Sequence, residues 1–205
     1  MPNHVFTVGF IGAGTVAHAI AGHALDAGHR VLLSNRRGPE SLAELVAELG
    51  SGASAVSPAR AADADIVVLA VHWDAVEEAV AGAQGLEGKI VIDATNQWAS
   101  VNPMIAADLG DQTGSERNRA FMPGARIVKA FNTLYGRITA QNPRRTDGNL
   151  VAFLAGDDSE AKDVVATFIT SIGFAPVDMG GLRDGGRLMQ VGGGPLSGLH
   201  VVKLF

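Results

Sequence analysis

The sequence predicts an α/β fold in which helices cover both faces of a doubly wound, mainly parallel sheet, followed by a C-terminal α/β extension. Strand-length apolar runs alternate with helix-like segments along the first part of the chain. Several of these runs, such as residues 66–71, are apolar throughout, which is typical of parallel strands buried on both faces. We therefore expect a single domain at 1–205, with a core at 1–135 and an extension at 136–205.

A glycine-rich turn follows the first apolar run, Val5–Ile11, and an alanine-rich segment follows the turn. This order of strand, turn and helix predicts a dinucleotide-binding βαβ unit of the Rossmann type. Gly12 would allow the tight turn, and Gly14 would let the backbone approach a pyrophosphate. A helix that begins near Thr15 would direct its free N–H groups and positive dipole end at the phosphates.

The second strand ends at Ser34, where NAD-binding proteins usually carry an acidic residue for the ribose 2′-hydroxyl. This chain has Asn35, Arg36 and Arg37 instead. No carboxylate repels a 2′-phosphate there, and two guanidinium groups can bind one through bidentate hydrogen bonds. The alternative is a glycine turn followed by two solvated arginines. The pattern favours NADP(H) as the cofactor.

The other elements of the core have their own local signals. Pro39 and Gly50 flank a periodic apolar segment, which predicts a helix. Asp74 and Glu77 predict a capping box at the start of a helix that runs to residue 80. The remaining predicted core elements are strands at 53–56, 66–71, 89–93 and 126–131, a loop at 94–109 and a helix at 115–122.

The extension begins with a short predicted helix at 134–139 and a polar loop at 142–148. A strand at 150–155, a helix from Asp157 or Asp158 to Ile172, and an edge strand at 175–179 follow. Gly192–Pro195 is too rich in glycine to form regular structure.

Composition excludes several classes of function. Hydrophobic residues make up 47% of the 205 residues, and the net charge of −5 argues against general nucleic-acid or anionic-membrane binding. Cysteine is absent and no HExxH motif occurs, so we expect no metal site. The start, 1–4, does not resemble a signal peptide and no apolar run is long enough for a membrane helix, so a cytoplasmic protein is expected.

Dispersed segments along nearly the whole chain follow one family pattern: Ile11-Gly12-Ala13-Gly14, Ser34-Asn35-Arg36-Arg37, Ala70-Val71-His72-Trp73, Asp93-Ala94-Thr95-Asn96, Val128-Lys129-Ala130-Phe131-Asn132-Thr133, Ala155-Gly156-Asp157-Asp158 and Asp178-Met179-Gly180-Gly181-Leu182. The chain resembles the coenzyme F(420)-dependent NADP oxidoreductases. Their NADP-binding fold is shared with the N-terminal part of pyrroline-5-carboxylate reductases.

The resemblance implies that Thr15, Val16, Asn35 and Arg36 hold the pyrophosphate and the 2′-phosphate of NADP(H). It also implies that the nicotinamide meets its acceptor in a cleft formed by the loops after Val71, Asp93 and Phe131. The predicted cofactor-binding residues are Gly12, Gly14, Thr15, Val16, Ser34, Asn35, Arg36, Arg37, Val71, His72, Trp73, Thr95, Asn96, Ala130, Phe131 and Asn132.

The acceptor implied by the resemblance is a deazaflavin, coenzyme F(420). The chain departs from the family pattern in two places near the expected acceptor: Val71-His72-Trp73 replaces a frequent Ile-Pro-Trp, and the C-terminal segment is reduced to 192–205. A flavin, quinone, ferric chelate or imine remains an alternative acceptor. A non-catalytic NADP(H)-binding redox sensor is a further alternative, and a homodimer is the expected assembly.

Hydride transfer between two rings requires no nucleophile and no general acid, so no catalytic side chain is obligatory. His72 is a possible proton donor, although a histidine that merely lines the cleft is the more common case. Lys129 is interpreted as a strand-end cation and not as a base. Trp73 and Trp98 are equally compatible with stacking on a ring and with packing.

Overall fold

A nine-stranded sheet joins the strands of the predicted core to three strands of the extension. The computed structural model describes residues 4–205. The expectation that no signal peptide is present rests on residues 1–4, and residues 1–3 lie outside the part of the chain that the structure describes.

The strands formed by residues 4–205 are β1 (Thr7–Ile11), β2 (Arg30–Ser34), β3 (Ala53–Ala55), β4 (Ile66–Leu69), β5 (Ile90–Asp93), β6 (Trp98–Val101), β7 (Met104–Ala106), β8 (Arg126–Ala130), β9 (Gly148–Gly156), β10 (Ala175–Asp178) and β11 (Val202–Leu204). The α-helices of the same residues are α1 (Thr15–Asp26), α2 (Ala43–Leu49), α3 (Pro58–Ala62), α4 (Val76–Ala83), α5 (Gly114–Arg119), α6 (Gly136–Thr139), α7 (Ser159–Ser171) and α8 (Asp184–Met189). Short 3₁₀ turns at Pro39–Leu42 and Trp73–Ala75 lead into α2 and α4.

Strand order confirms the predicted fold class. The parallel part of the sheet runs β3-β2-β1-β4-β5-β8. The order reverses between β1 and β4, which is the point where α/β sheets of the Rossmann type bind dinucleotides. β9 then pairs antiparallel with β8, while β10 runs parallel to β9. The sheet is continuous across the expected boundary at 135/136, and that division remains a prediction.

Alternate residues of the buried strands pack into two layers. On one face, Val68 and Ile92 belong to the same core cluster as Ile20 of α1 and Phe168 of α7. On the other face, Val67 belongs to a second cluster that includes Ala62 of α3, Val80 of α4 and Met122 just after α5. Because both faces are covered, the central strands consist almost entirely of apolar residues, as the sequence predicted.

The predicted loop at 94–109 was wrong in part, because it contains the antiparallel hairpin β6–β7. Val101, Met104 and Ile105 on this hairpin are more than half exposed, so no buried apolar face marks it in the sequence. Its position depends on tertiary contacts, for example the 2.9 Å hydrogen bond from Gln97 Nε2, just before β6, to the carbonyl of Val191.

The capping box predicted at Asp74 and Glu77 is also wrong. Asp74 lies inside the 3₁₀ turn Trp73–Ala75 and makes no capping hydrogen bond, and Ala75 is the N-cap of α4. The 3₁₀ turn therefore moves the N-cap of α4 one residue beyond the predicted Asp74. A capping box does occur at α5, where Thr113 and Glu116 bond reciprocally.

Other differences concern short elements. The helix predicted at 115–122 is the shorter α5, and the helix predicted between Pro39 and Gly50 begins with a 3₁₀ turn. α3, α8 and β11 were not predicted, because each is at most six residues long and forms largely through tertiary contacts. The helix expected after Asp157 or Asp158 is confirmed as α7, with the Asp158 carboxylate accepting from Ala161 N–H. Among residues 4–205, no helix has both the length and the apolar character needed to cross a bilayer.

His29, immediately before β2, is predicted to make stability depend on pH. It is 5% exposed; its Nδ1 accepts from Phe6 N–H (3.2 Å), which leaves Nε2 to donate to Ser171 Oγ (2.7 Å). Burial, with a smaller contribution from His4, lowers the pKa of His29 below 6.5. The unfolded chain therefore binds the proton more readily, and the free energy of unfolding should fall as the pH drops below about 6.5. Urea unfolding between pH 5 and 8 measures this slope, which His29→Gln should reduce; an unchanged slope would contradict it.

Candidate functional site

The candidate site lies at the carboxyl edge of the parallel strands. β1, β2, β4, β5 and β8 run in the same direction, so the loops that follow them meet at one edge. Backbone hydrogen bonds hold these loops side by side. Gly12 N–H donates to the Ser34 carbonyl (3.0 Å), and Ala94 N–H donates to the Leu69 carbonyl (3.1 Å).

The two glycines of the first turn meet different constraints. Gly12 has a φ of +102°, and a Cβ there would overlap the carbonyl of Ala70, so both conformation and space require glycine. Gly14 has an unstrained φ of −82°, and a Cβ there would meet no atom within 4 Å. Packing therefore does not require a glycine at this position. The open space above Gly14 lies at the N-terminus of α1, whose first turn carries no acidic residue and whose N-cap provides no side-chain acceptor.

The three residues after β2 form a cationic turn. The Asn35 side chain accepts from Arg37 N–H (2.9 Å) and donates to Ser41 Oγ (2.9 Å), which fixes the loop. Arg36 and Arg37 are exposed. Within residues 4–205, no carboxylate forms a salt bridge with either guanidinium. Two cations that pair with no carboxylate of the described residues therefore stand beside the glycine turn, in a position suited to an anionic group.

Not every predicted residue presents its side chain to the cleft. Ser34 is fully buried and its hydroxyl donates to the Phe10 carbonyl (2.7 Å), so its side chain stabilises the turn from inside the fold. Thr95, Ala130 and Phe131 are each at most 2% exposed. If these residues contact a ligand, they do so through the backbone or after a local movement.

The loops after β5 and β8 are joined by a pair of amide side chains. Asn96 Nδ2 donates to the Asn132 carbonyl (2.9 Å), and Asn132 Nδ2 donates back to Asn96 Oδ1 (3.2 Å). Phe131 precedes Asn132 with a φ of +61°, which is unusual for a large side chain. Such backbone strain costs about 1–3 kcal/mol and often occurs at functional sites. The strained turn and the amide pair together fix the relative position of the two loops.

The loop after β4 borders the same edge. Val71 and Trp73 are partly buried, whereas His72 is exposed and makes no side-chain hydrogen bond within the described residues. The Trp73 ring packs near Gly114 at the start of α5. A cavity of about 190 Å³ opens beside it, with Phe121 also in its wall. A second cavity, of about 240 Å³, lies at the end of α1 remote from Gly14 and is lined by His23 and Arg144 among others, so it is separate from this site.

A buried polar network under the loops was not predicted. Asp93 ends β5 with no exposure, and Lys129, its register partner on β8, is 1% exposed. Lys129 Nζ lies 3.8 Å from Asp93 Oδ2 and donates to the Thr95 carbonyl (2.9 Å). Asp93 also accepts hydrogen bonds from Ser115 Oγ (2.6 Å) and Asn118 Nδ2 (3.0 Å). The structure adds to the interpretation of Lys129 as a strand-end cation that this lysine is enclosed and paired. A signal was available: a charged residue, Asp93 or Lys129, lies at or next to the carboxyl end of each of two otherwise apolar stretches.

The charges of this network stabilise each other. Burial alone would raise the pKa of Asp93, but Lys129 and the hydrogen bonds from Ser115 and Thr95 together hold that pKa below its usual value. Burial lowers the pKa of Lys129, and Asp93 opposes this shift. A carboxylate that faces several donors and one cation fits the ionised state.

The C-terminal segment covers the same two loops from outside. Gln97 Nε2 donates to the Val191 carbonyl (2.9 Å), and Asn132 Nδ2 donates to the Met189 carbonyl (2.9 Å). Gly198 N–H donates to the Thr133 carbonyl (2.8 Å). Within residues 4–205, no group of three or more His, Asp or Glu residues is arranged to hold a metal ion.

Comparison with known proteins identifies relatives along most of the chain. The family model described as NADP oxidoreductase, coenzyme F(420)-dependent, matches residues 7–97. The structure of a hypothetical protein from Sinorhizobium meliloti is similar, with 36% identity, a TM-score of 0.91 and coverage of 98% of this chain and 96% of that chain. A proposed F(420)-dependent NADP reductase from an Arthrobacter species is similar, with 26% identity, a TM-score of 0.75 and coverage of 86% of each chain.

A metalloreductase of Rattus norvegicus is 28% identical to this chain over 187 residues. The match covers 90% of this chain but 36% of the metalloreductase, so the chain spans about a third of the length of that relative.

Proposed function

Because the chain belongs to the family of coenzyme F(420)-dependent NADP oxidoreductases, we propose that it transfers hydride between NADP(H) and a deazaflavin, coenzyme F(420). The observation that carries the NADP(H) part of this proposal is the open space over Gly14 together with two arginines, one strand away, that form no salt bridge within residues 4–205. A pyrophosphate fits the first feature, and a 2′-phosphate fits the second.

In this proposal the two ends of the cofactor have separate sites. The first turn of α1, with Thr15 and Val16, holds the pyrophosphate, and Arg36 with Arg37 holds the 2′-phosphate. The nicotinamide end lies among the loops that follow β4, β5 and β8. The contributing residues are Val71, His72, Trp73, Thr95, Asn96, Ala130, Phe131 and Asn132.

The residues of the chain would promote the reaction by positioning the two rings and not by chemical participation. When bound, NADPH supplies the hydride, and transfer to a second ring needs close approach and exclusion of water. The joined loops of Asn96 and Asn132, closed from outside by residues 189–198, support such an enclosed end of the cleft. The exposed His72 would stand at its rim.

A second candidate keeps NADPH and changes the acceptor to a flavin or a ferric chelate. The observation that favours it is the 28% identity to a metalloreductase over most of this chain. Quinone or imine acceptors and a non-catalytic redox sensor remain further alternatives. The exposed apolar side chains of Val101, Met104 and Ile105 support a homodimer, which sedimentation velocity tests.

The decisive experiment mixes the protein with NADPH and oxidised coenzyme F(420) and follows the absorbance of the deazaflavin. Bleaching at an enzyme-like rate, with NADH much poorer, is the expected result. Tight NADPH binding without bleaching would contradict a deazaflavin acceptor. Parallel reactions with FMN and with ferric citrate then separate the second candidate from a sensor, which would oxidise NADPH with none of them.

His72→Ala is expected to change kcat for F(420) reduction by no more than about twofold, because hydride transfer between two rings requires no protein proton donor. Steady-state kinetics at saturating NADPH measures this. His4→Ala, which alters an exposed histidine at the start of the chain, is the matched control. A large fall in kcat with KM unchanged would instead make His72 the proton donor.

A further inference from the structure

The Asp93–Lys129 pair lies directly beneath the loops assigned to the nicotinamide. Asp93 ends β5, its register partner Lys129 lies one residue before the end of the neighbouring β8, and both are almost completely buried. A buried ion pair is weak evidence for stability, because removing two charges from water costs about as much as their attraction returns. Apolar residues at these positions would serve the sheet equally well, so the pair needs another explanation.

The hydrogen bonds of the pair converge on one residue, Thr95. Asp93 Oδ1 accepts from Thr95 N–H (2.9 Å) and from Thr95 Oγ1 (2.6 Å), while Lys129 Nζ donates to the Thr95 carbonyl (2.9 Å). All the hydrogen-bonding groups of Thr95 are thus engaged, since Asn118 Nδ2 also donates to its hydroxyl (3.1 Å). One residue of the loop is fixed at its amide, its carbonyl and its side chain.

This fixed residue determines where the next one lies. Asn96 follows Thr95 directly and forms the amide pair with Asn132 across the cleft. Asn132 lies three residues beyond Lys129 and follows the strained Phe131. The ion pair therefore fixes both the loop after β5 and the loop after β8, which the amide pair connects.

We propose that Asp93 and Lys129 are positioning residues for the nicotinamide end of the cofactor site, and that they act through Thr95 on the Asn96–Asn132 amide pair. The proposal rests on the proposed NADP(H) function. Neither side chain touches the cofactor. Their effect is confined to the reacting end, because the contacts at Gly14 and Arg36 belong to other loops.

The test compares two ligands in each variant. NADPH occupies the whole site, whereas adenosine 2′,5′-bisphosphate carries the 2′-phosphate and lacks the nicotinamide. In Lys129→Met, the Kd for NADPH should rise about tenfold. The kcat for hydride transfer from NADPH should fall about 10- to 100-fold, because small displacements of positioning groups greatly reduce the rate. The Kd for the bisphosphate should change less than about twofold, since the phosphate contacts are remote and independent.

A single substitution leaves one buried charge without its partner and can prevent folding. The double variant Asp93→Asn/Lys129→Met removes both charges, and its unfolding midpoint should stay close to that of the wild type. It should nevertheless lose the same selectivity for NADPH over the bisphosphate. Lys162→Met is the matched control, because Lys162 is a largely buried lysine paired with Asp178 (2.8 Å) away from the cleft.

The outcomes separate the two proposals. A folded double variant that binds NADPH and the bisphosphate as the wild type does would overturn the positioning role. Equal weakening of both ligands would also overturn it, because that pattern indicates a general loss of structure. A wild-type protein that binds neither ligand, or binds NADH as well as NADPH, would instead contradict the proposed NADP(H) function.

Discussion

Gly14→Ala is expected to weaken NADPH binding about 100-fold, because a Cβ there blocks roughly two charge-assisted hydrogen bonds to the pyrophosphate, worth about 1.5 kcal/mol each. The fold should be unaffected. Gly14 has an ordinary φ of −82°, and the new Cβ would meet no protein atom within 4 Å. Titration of NADPH fluorescence measures the loss, and urea unfolding measures the free energy of unfolding.

Gly12→Ala is the matched comparison two residues earlier. There the φ of +102° and the overlap with the Ala70 carbonyl should lower the free energy of unfolding by about 2–4 kcal/mol. The two glycines should thus separate binding from folding. Normal NADPH affinity in a folded Gly14→Ala protein would show that no pyrophosphate lies against this turn.

Arg36→Ala/Arg37→Ala is expected to weaken NADPH binding by at least about 100-fold, since each guanidinium contributes roughly 1.5–3 kcal/mol to a charged hydrogen-bonded contact. NADH, which lacks the 2′-phosphate, should lose no more than about threefold. The difference should shrink at high salt, because both arginines are exposed and their charges are screened. Isothermal titration with the two nucleotides measures the ratio directly.

Arg30→Ala is the control for this pair. Arg30 is an exposed arginine at the opposite end of the same strand, so its loss removes one positive charge, half the change in the double variant, without reaching the turn. Equal weakening of NADPH and NADH in the double variant would contradict a 2′-phosphate site at Arg36 and Arg37. A large effect of Arg30→Ala would point to a general charge effect.

The parts of the fold that follow from short-range pattern were predicted well. The Gly12 turn, the strand that ends at Ser34 and the helix capped by Asp158 each depend on residues a few positions apart, and all three are confirmed. The cationic turn was equally predictable, because its charge comes from three consecutive residues. The assignment of all these residues to a cofactor remains a prediction.

The parts that depend on distant contacts could not be predicted. Asp93 and Lys129 are 36 positions apart, and only the register of β5 with β8 shows that they are partners. The hairpin β6–β7 was missed because its exposed valine, methionine and isoleucine follow no burial pattern. Charged residues inside apolar strands are a signal worth following, but sequence alone does not identify their partners.

The hydrogen bonds to Met189 and Val191 imply an order of assembly. They span 57 and 94 residues of chain, whereas the residues of the glycine turn and the cationic turn all lie within the first 37 positions. Contacts between distant residues form late, because a long segment must close before they contribute. During synthesis, the chain can therefore complete the phosphate-binding part of its site well before the reacting end. A protein clipped before residue 189 would be expected to retain the nucleotide and lose the reaction.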